Sequence, residues 1–157
     1  MSSDSVTEQS PAWNGGEASL AFTTRRRILL PMSLRHGIDL VECSRIEDVW
    51  RHHTQRFLDR VLTPAEQELA KRFKNPVPYL AGRWAAKEAI LKMLGTGWRG
   101  SISWTDMEIL PDPLGQPLVT LSGECKNLAS RLGIHEIQLS ITHTAHYASA
   151  SAIGILT

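Results

Sequence analysis

The sequence predicts an α+β domain, with helices mostly in its first half and antiparallel strands mostly in its second half. Two capping boxes and one strongly periodic apolar run predict three helices before residue 95. After that residue, short runs suited to strands alternate with turns that contain Gly or Pro. We therefore expect an antiparallel sheet packed with helices.

Residues 1–34 differ in composition from the rest of the chain. They are rich in Ser, Thr, Gly and Glu and show no sustained periodicity. We expect residues 1–34 to form a disordered extension, with Met32 as a candidate for the true start, and the domain to span residues 35–157. The run Arg25, Arg26 and Arg27 is a basic patch, but such a run in a polar tail is more often simply solvated.

The predicted elements of the first half follow from their start and stop signals. The segment "HGIDLVE" at 36–42 is typical of a short buried strand. Ser44 with Glu47 forms one capping box, and the helix it opens would continue to Val61. Thr63 with Glu66 forms a second, for a helix that reaches residue 73 before the prolines that follow. The third helix spans 80–94, with Gly95 just after its end.

The second half reads mainly as strands. We predict strands at 101–110, 118–121, 136–142 and 147–156, with a helix at 123–132 between the second and third. The segment "DPLGQP" joins the first two of these strands as a turn, and Gly133 ends the helix.

Composition excludes several broad classes of function. The chain has 17 basic and 16 acidic residues, so no overall field attracts polyanions. Cys43 and Cys125 form no CxxC pair, which argues against a zinc ribbon or a disulfide framework and favours a reducing cytoplasm. No apolar run is long enough to cross a membrane, so we expect neither a membrane nor a nucleic acid as partner.

The third helix places a lysine on its apolar face. Leu80, Trp84, Leu91 and Leu94 form a stripe on the helical wheel, and Lys87 falls inside it. The side chain of Lys87 could extend past its neighbours to solvent. Glu88 and Lys92 could likewise be only an i,i+4 ion pair, worth about 0.2–0.5 kcal/mol. Residue patterns alone leave these ordinary explanations open.

Asp39 favours a second explanation, because aspartate is a poor strand former and a buried carboxylate needs a partner. Asp39 and Glu88 together would suit Mg²⁺, which commonly takes one or two carboxylates together with phosphate oxygens and water. Lys92 would add a positive charge for the same phosphates. The glycines of "GTG" would let backbone N–H groups approach such a ligand.

Four segments carry a family resemblance: "GIDLVECSRIE", "RFLDRVLTPAE", "LAGRWAAKEAILKMLGTG" and "ITHT", in this order. Over roughly the last three-quarters of the chain they resemble holo-[acyl-carrier-protein] synthase, the short class of 4′-phosphopantetheinyl transferase. The resemblance implies the fold of that family and Mg²⁺-dependent transfer of phosphopantetheine from coenzyme A to a serine of apo acyl carrier protein. Adenosine 3′,5′-bisphosphate would be released.

The resemblance also implies roles for individual residues. Asp39 and Glu88 match the two Mg²⁺ ligands, and Lys92 matches a catalytic lysine that touches the phosphates of coenzyme A. The implied coenzyme A contacts are Lys87, Lys92, Gly95, Thr96, Gly97, His143 and Thr144. Lys87 would either orient the site or meet the phosphates. Thr142 replaces the serine of the family pattern but keeps a hydroxyl.

A face of the first helix matches the carrier-binding positions of the family. Arg45, Arg56 and Phe57 lie at these positions, and basic groups there would guide an acidic partner helix. Without the resemblance, the same helix would read as an ordinary amphipathic one with solvated arginines. The short class also forms homotrimers with sites between subunits, so we expect a homotrimer.

Two other functions remain as alternatives. A Mg²⁺-dependent hydrolase of nucleotides or coenzyme A could use the same carboxylates. A small nucleic-acid-binding module could use Arg35 and the arginines at 25–27. A zinc pair at His143 and His146 lacks further Cys or His ligands nearby.

Overall fold

The computed structural model describes residues 33–97 and 99–156. The elements in chain order are β1 Leu34–Glu42, α1 Cys43–Val61, α2 Pro64–Ala70, α3 Val77–Met93, a 3₁₀ turn Trp104–Asp106, β2 Met107–Pro111, β3 Pro117–Leu121, α4 Gly123–Arg131, β4 Ile134–His143 and β5 Tyr147–Leu156. The predictions for residues 1–32, including the arginines at 25–27, fall outside the described residues. Within the described residues, no helix is long and apolar enough to span a membrane.

A three-stranded antiparallel sheet in the order β1-β5-β4 forms the platform of the fold, and β2 and β3 pair as a separate hairpin. In the register of β1 with β5, Asp39 lies opposite Ala150. Helix α3 packs across one face of the sheet, chiefly against β1 and β5. The α+β class with antiparallel strands is thus confirmed.

Small side chains allow α3 to lie very close to the sheet. Fully buried alanines face each other across the contact: Ala81, Ala85, Ala86 and Ala89 on α3, and Ala148, Ala150 and Ala152 on β5. The closest approach is at Gly37 of β1, where an added Cβ would lie 2.0 Å from the carbonyl oxygen of Ala89. Any larger residue there would separate strand and helix.

Helix ends agree with the sequence signals where the capping groups are close to the helix end in sequence. The Thr63–Glu66 capping box is present, but α2 ends at Ala70, before residue 73. At the end of α3, Gly95 adopts φ +76°, and the N–H groups of Gly95 and Thr96 donate to the carbonyls of Lys92 and Leu91. This is a Schellman motif, so the predicted C′ role of Gly95 is confirmed.

Several other predicted boundaries were wrong. α1 begins at Cys43 without a side-chain cap, so Ser44 and Glu47 form no capping box. The Cys43 N–H instead donates to the carbonyl of His146, a contact distant in sequence. α3 begins at Val77, because Pro78 in the first turn needs no N–H donor. Residues 101–110 form a strand only from Met107 onward.

Helix α1 is interrupted at His53, whose φ of −136° and ψ of 34° are not helical. Ile46 on the first segment and Phe57 and Val61 on the second are buried against the core. The predicted apolar face of this helix is therefore confirmed, but the helix is two segments that meet at a bend.

Candidate active site

A cleft of about 760 Å³ opens between β1, α1 and α3, and we call it the carboxylate cleft. Its charged lining residues are Asp39, Arg45, Arg60, Glu88 and Lys92, and its apolar wall includes Val41, Ile46, Phe57, Val61, Trp84 and Trp104. The aromatic part of the wall is ordered by stacking. Trp84 lies between Phe57 and Trp104, with ring centroids 6.3 and 4.8 Å away.

Asp39 reaches the cleft because β1 directs its odd-numbered residues toward α3. Only 15% of its side chain is exposed. Its Oδ1 accepts a hydrogen bond of 2.9 Å from Lys92 Nζ, which also donates to the carbonyl of Ile38 at 3.0 Å. The buried carboxylate therefore has the partner that the sequence analysis required, and that partner is a cation from α3.

Glu88 lies one helical turn before Lys92 and is half-buried. Burial raises the pKa of this carboxyl, and the negative charge of Asp39 raises it further, against the opposing effect of Lys92. The effects of Asp39 and Lys92 on Glu88 show that both groups lie within electrostatic reach of it. A carboxylate whose charge is disfavoured by a second carboxylate creates local demand for a cation.

The residues present fit a hard divalent cation whose remaining ligands come from substrate and water. No group of three or more His, Cys, Asp and Glu side chains within 33–97 and 99–156 could hold a metal ion. Asp39 and Glu88 alone supply carboxylate oxygens to the cleft. Such a pair suits Mg²⁺, which keeps several waters and binds through one or two carboxylates and phosphate oxygens.

Lys87 does not contribute to the cleft surface, so its predicted contact with coenzyme A phosphates was wrong. The residue is fully buried. Its ammonium donates to Val61 O at 2.6 Å, to Glu66 Oε2 at 2.7 Å and to Trp104 O at 3.1 Å. An ammonium has three protons, and all three are engaged. Lys87 can therefore act on the cleft only through the residues that it holds.

The sequence analysis missed this internal role of Glu66. Its Oε2 accepts from the Thr63 N–H and from Lys87, and its Oε1 accepts from the Ile109 N–H. Arg83 lies nearby with its Nε 3.9 Å from Oε1, too far for a hydrogen bond. The capping box signals the contact with Thr63, but nothing local signals the partner 21 residues away on α3.

The glycine turn lies just beyond the C-terminus of α3. Arg35 of β1 reaches this turn, where its Nε donates to Met93 O at 2.8 Å. An added Cβ at Gly95 would lie 2.4 Å from Arg35 Nη2. Thr96 Oγ1 donates to Gly97 O and accepts from Arg99 Nε. The turn is therefore a compact polar surface adjacent to Lys92.

The structure does not bring His143 and Thr144 to the carboxylate cleft. His143 ends β4 and lines a different pocket together with Gly82 and Arg83. Gly82 precedes Lys92 by ten residues of α3, about 15 Å of helix. Thr144 accepts hydrogen bonds from the N–H groups of His146 and Tyr147 at the β4–β5 turn. Within one chain, the predicted coenzyme A contacts form two separate groups.

The predicted carrier-binding residues differ in exposure. Arg45 and Arg56 are exposed, and Arg45 lines the cleft itself. Phe57 is only 6% exposed and stacks on Trp84. Little of its ring is available to a docked helix, so in this chain it is mainly part of the cleft wall. Arg56 lies beside it in a shallow groove with Val49, His53 and Arg60.

Comparison with known proteins gives a consistent result. The family model of the 4′-phosphopantetheinyl transferase superfamily matches residues 35–150. The holo-[acyl-carrier-protein] synthase of Caldanaerobacter subterraneus subsp. tengcongensis is 44% identical over 124 residues, which cover 79% of this chain and 96% of the relative. That of Koribacter versatilis is 42% identical over 122 residues, covering 78% of this chain and 98% of the relative.

Solved structures agree. The holo-[acyl-carrier-protein] synthase of Neisseria meningitidis has a TM-score of 0.71 at 33% identity, covering 76% of this chain and 96% of that one. The synthase of Bacillus anthracis, solved in complex with CoA (3′,5′-ADP), has a TM-score of 0.67 at 34% identity, covering 80% and 99%. Because the family model, the relatives and the fold all agree, the chain belongs to the 4′-phosphopantetheinyl transferase superfamily and is similar to the holo-[acyl-carrier-protein] synthases.

Proposed function

We propose that this chain transfers the 4′-phosphopantetheine group of coenzyme A to a serine hydroxyl of an apo acyl carrier protein. The reaction depends on Mg²⁺ and releases adenosine 3′,5′-bisphosphate. The observation that carries the proposal is the convergence of Asp39, Glu88 and Lys92 in one cleft beside the exposed Arg45. This arrangement combines a place for a pyrophosphate with a surface for an acidic partner.

The transfer replaces the phosphoanhydride bond of coenzyme A with a phosphoester bond to serine. The serine oxygen forms a bond to the β-phosphorus of coenzyme A, and the bond from that phosphorus to the bridging oxygen breaks. The leaving oxygen carries its electrons away on adenosine 3′,5′-bisphosphate, and the serine loses its proton. The raised pKa of Glu88 suits this carboxylate to accept that proton, either directly or through water.

Asp39 and Glu88 would hold Mg²⁺, whose positive charge would offset the charge that develops on the leaving group. Lys92 would add its positive charge at the same place, and its hydrogen bonds to Asp39 and the Ile38 carbonyl already fix its position. The side chain needs little reorganisation when the phosphates arrive.

A second copy of the chain would join the two groups of coenzyme A contacts. Lys92 and the glycine turn would bind the phosphates, and His143 and Thr144 of a neighbouring subunit would contact the nucleotide end. The outer face of β1 supports such an assembly, because Leu34, Ile38 and Leu40 are 56, 57 and 65% exposed. Three exposed large apolar side chains on one strand face favour contact with another protein surface. We propose a homotrimer, as in the short class of the family.

The carrier protein would dock along α1. Arg45 at the edge of the cleft and Arg56 on the second helical segment would face acidic residues of the partner. Such contacts chiefly accelerate encounter and fix the register of the bound helix. The position of Arg45 on the cleft supports delivery of the carrier serine to the carboxylates.

A reducing cytoplasm suits the two cysteines. Cys43 and Cys125 are both buried free thiols. Burial raises the pKa of Cys125 to about 12, so its reactive thiolate form is scarce at neutral pH. We propose the cytoplasm as the site of the reaction on this chemistry.

Mass spectrometry of an apo carrier protein tests the proposal directly. Incubation with the enzyme, coenzyme A and Mg²⁺ should add one phosphopantetheine to the carrier serine. Chelation of Mg²⁺ by EDTA should stop the transfer, and added Mg²⁺ should restore it. If coenzyme A is instead cleaved when no carrier is present, the chain is a hydrolase and the transferase proposal fails.

A further inference from the structure

We propose that Lys87 and Glu66 act as a positioning pair for the reaction: their buried ion pair sets the place of the Glu88 carboxylate without touching substrate. The inference rests on the proposed transferase function, since it assigns the source of the geometry on which transfer depends. Five segments meet at this pair: the end of α1, the start of α2, the middle of α3, the 3₁₀ turn and β2.

The lysine side of the pair joins three walls of the cleft. Lys87 extends from α3 and donates to Val61 O at the end of α1 and to Trp104 O in the 3₁₀ turn. Both Val61 and Trp104 also line the cleft with their side chains. One ammonium therefore sets the separation between the helix that carries Glu88 and the two segments opposite it.

The carboxylate side fixes the ammonium in turn. Glu66 is fully buried, and its two oxygens accept from Thr63 N–H and Ile109 N–H in addition to Lys87. These backbone donors belong to the α2 cap and to β2, so the carboxylate cannot follow α3 if that helix turns. Glu66 is thus held by segments other than α3, the helix whose position it fixes through Lys87.

The buried pair is linked to the cleft because Lys87 and Glu88 are consecutive residues of α3. Lys87 and Glu88 are adjacent, about 100° and 1.5 Å apart on α3. A rotation of α3 that moved Glu88 would lengthen all three Lys87 hydrogen bonds. The Trp84 ring, stacked on Trp104, lies on the same helix and would have to slide as well.

Stability alone does not explain why the pair is ionic. A buried ion pair is often no more stabilising than apolar side chains of similar volume, because both charges are removed from water. Geometry does explain it, since five hydrogen bonds of 2.6–3.2 Å define a position more narrowly than apolar packing does.

A paired substitution separates positioning from folding. Lys87→Met alone leaves the Glu66 charge buried without its cation, and this variant would unfold for that reason. The double variant Lys87→Met with Glu66→Gln removes both charges and keeps similar volumes. The amide oxygen of glutamine can still accept from the Thr63 N–H and so retain the capping box, whereas its NH2 group cannot accept from the Ile109 N–H. Glu66→Asp is a milder companion that keeps both charges and shortens the reach of the carboxylate by one methylene.

The full-length double variant should remain folded, with kcat for phosphopantetheine transfer about 10- to 100-fold lower than wild type. Its KM for the carrier should stay within about twofold, because Arg45 and Arg56 remain on the surface. Mn²⁺, titrated with coenzyme A present and carrier absent, should bind several-fold more weakly because the Glu88 oxygens have moved. Glu66→Asp should show a smaller fall in kcat at near-wild-type Tm.

Leu132→Ala is the matched control, since it removes core packing at the end of α4, away from the cleft. It should lower Tm and leave kcat and Mn²⁺ affinity unchanged. Wild-type kcat and Mn²⁺ affinity in a folded double variant would overturn the inference. So would a loss of kcat in Leu132→Ala as large as that in the double variant, because kcat would then simply follow Tm. Should the double variant fail to fold, unchanged kcat in Glu66→Asp overturns it instead. Failure of the wild type to modify any apo carrier refutes the proposed function itself, and the Mn²⁺ measurement then still tests the positioning.

Discussion

Gly37→Ala should misplace Asp39 and Glu88, the proposed Mg²⁺ ligands, by widening the contact between β1 and α3. An added Cβ would lie 2.0 Å from Ala89 O and 2.5 Å from Met93 N, whereas ordinary contacts begin near 3.4 Å. Both neighbours are backbone atoms, so no side-chain rotation can relieve the overlap. The helix and the strand must therefore separate by at least about 1.4 Å.

The energetic cost follows from that displacement. Overpacking typically destabilises a protein by about 1–3 kcal/mol, and a clash with rigid backbone belongs at the upper end. For a chain of this length, about 3 kcal/mol corresponds to a fall in Tm of roughly 6–12 °C. Asp39 lies two residues after Gly37, and its 2.9 Å bond to Lys92 crosses the widened contact. A misplacement of about 1 Å can lower turnover about 10²-fold.

Differential scanning calorimetry and the carrier modification assay together test this reasoning. Gly97→Ala serves as a control for stability alone, because nothing lies within 4 Å of a Cβ at Gly97. A Gly37→Ala protein with wild-type Tm would show that strand and helix are not in such close contact. Reduced Tm with wild-type kcat would show that transfer does not depend on their spacing.

Three further substitutions test the remaining assignments. Arg56→Ala should raise KM for the carrier about two- to fivefold in steady-state assays and leave KM for coenzyme A unchanged, while Arg51→Ala on the same helix should change neither. Glu88→Gln should lower kcat about 10²-fold or more. At pH values above the raised Glu88 pKa, the same variant should have a slightly higher metal-free Tm than wild type. The folded state binds the Glu88 proton more tightly than the unfolded chain, so wild type loses stability as pH rises from about 4.5 through that pKa. A lower Tm of the variant at pH 7 would contradict the raised pKa. Ile38→Glu should place a charge on the exposed face of β1 and yield monomers by light scattering, and an intact trimer would exclude that face as the interface.

Features encoded by neighbouring residues were predictable from the sequence. The cap of α2 and the glycine that ends α3 depend on groups within six residues, and both are present. The need of Asp39 for a partner was also predictable, because burying a carboxylate in a strand is costly whatever the fold. The sequence did not identify that partner as Lys92, because the family motif assigns this lysine to the phosphates of coenzyme A; the Lys92–Asp39 bond came from the structure.

Features created by tertiary contact were not predictable in the same way. The start of α1 depends on the carbonyl of His146, which is about a hundred residues away along the chain. The sequence pattern places Lys87 on an apolar face but does not show whether its ammonium reaches solvent, a phosphate or Glu66. The packing of α2 against β2 determines which of these three partners it has. The distance between His143 and the cleft likewise depends on how α3 crosses the sheet.

The bend at His53 separates α1 into two segments with different contacts. The segment after it ends at the Val61 carbonyl, which Lys87 holds, whereas the segment before it carries Arg45 at the edge of the cleft. A break in the helical hydrogen-bond ladder weakens the transmission of tilt from one segment to the other. Contact between the proposed carrier and Arg45 would therefore tilt the leading segment, while Phe57 on the trailing segment stays stacked on Trp84 and keeps the aromatic wall of the cleft in place.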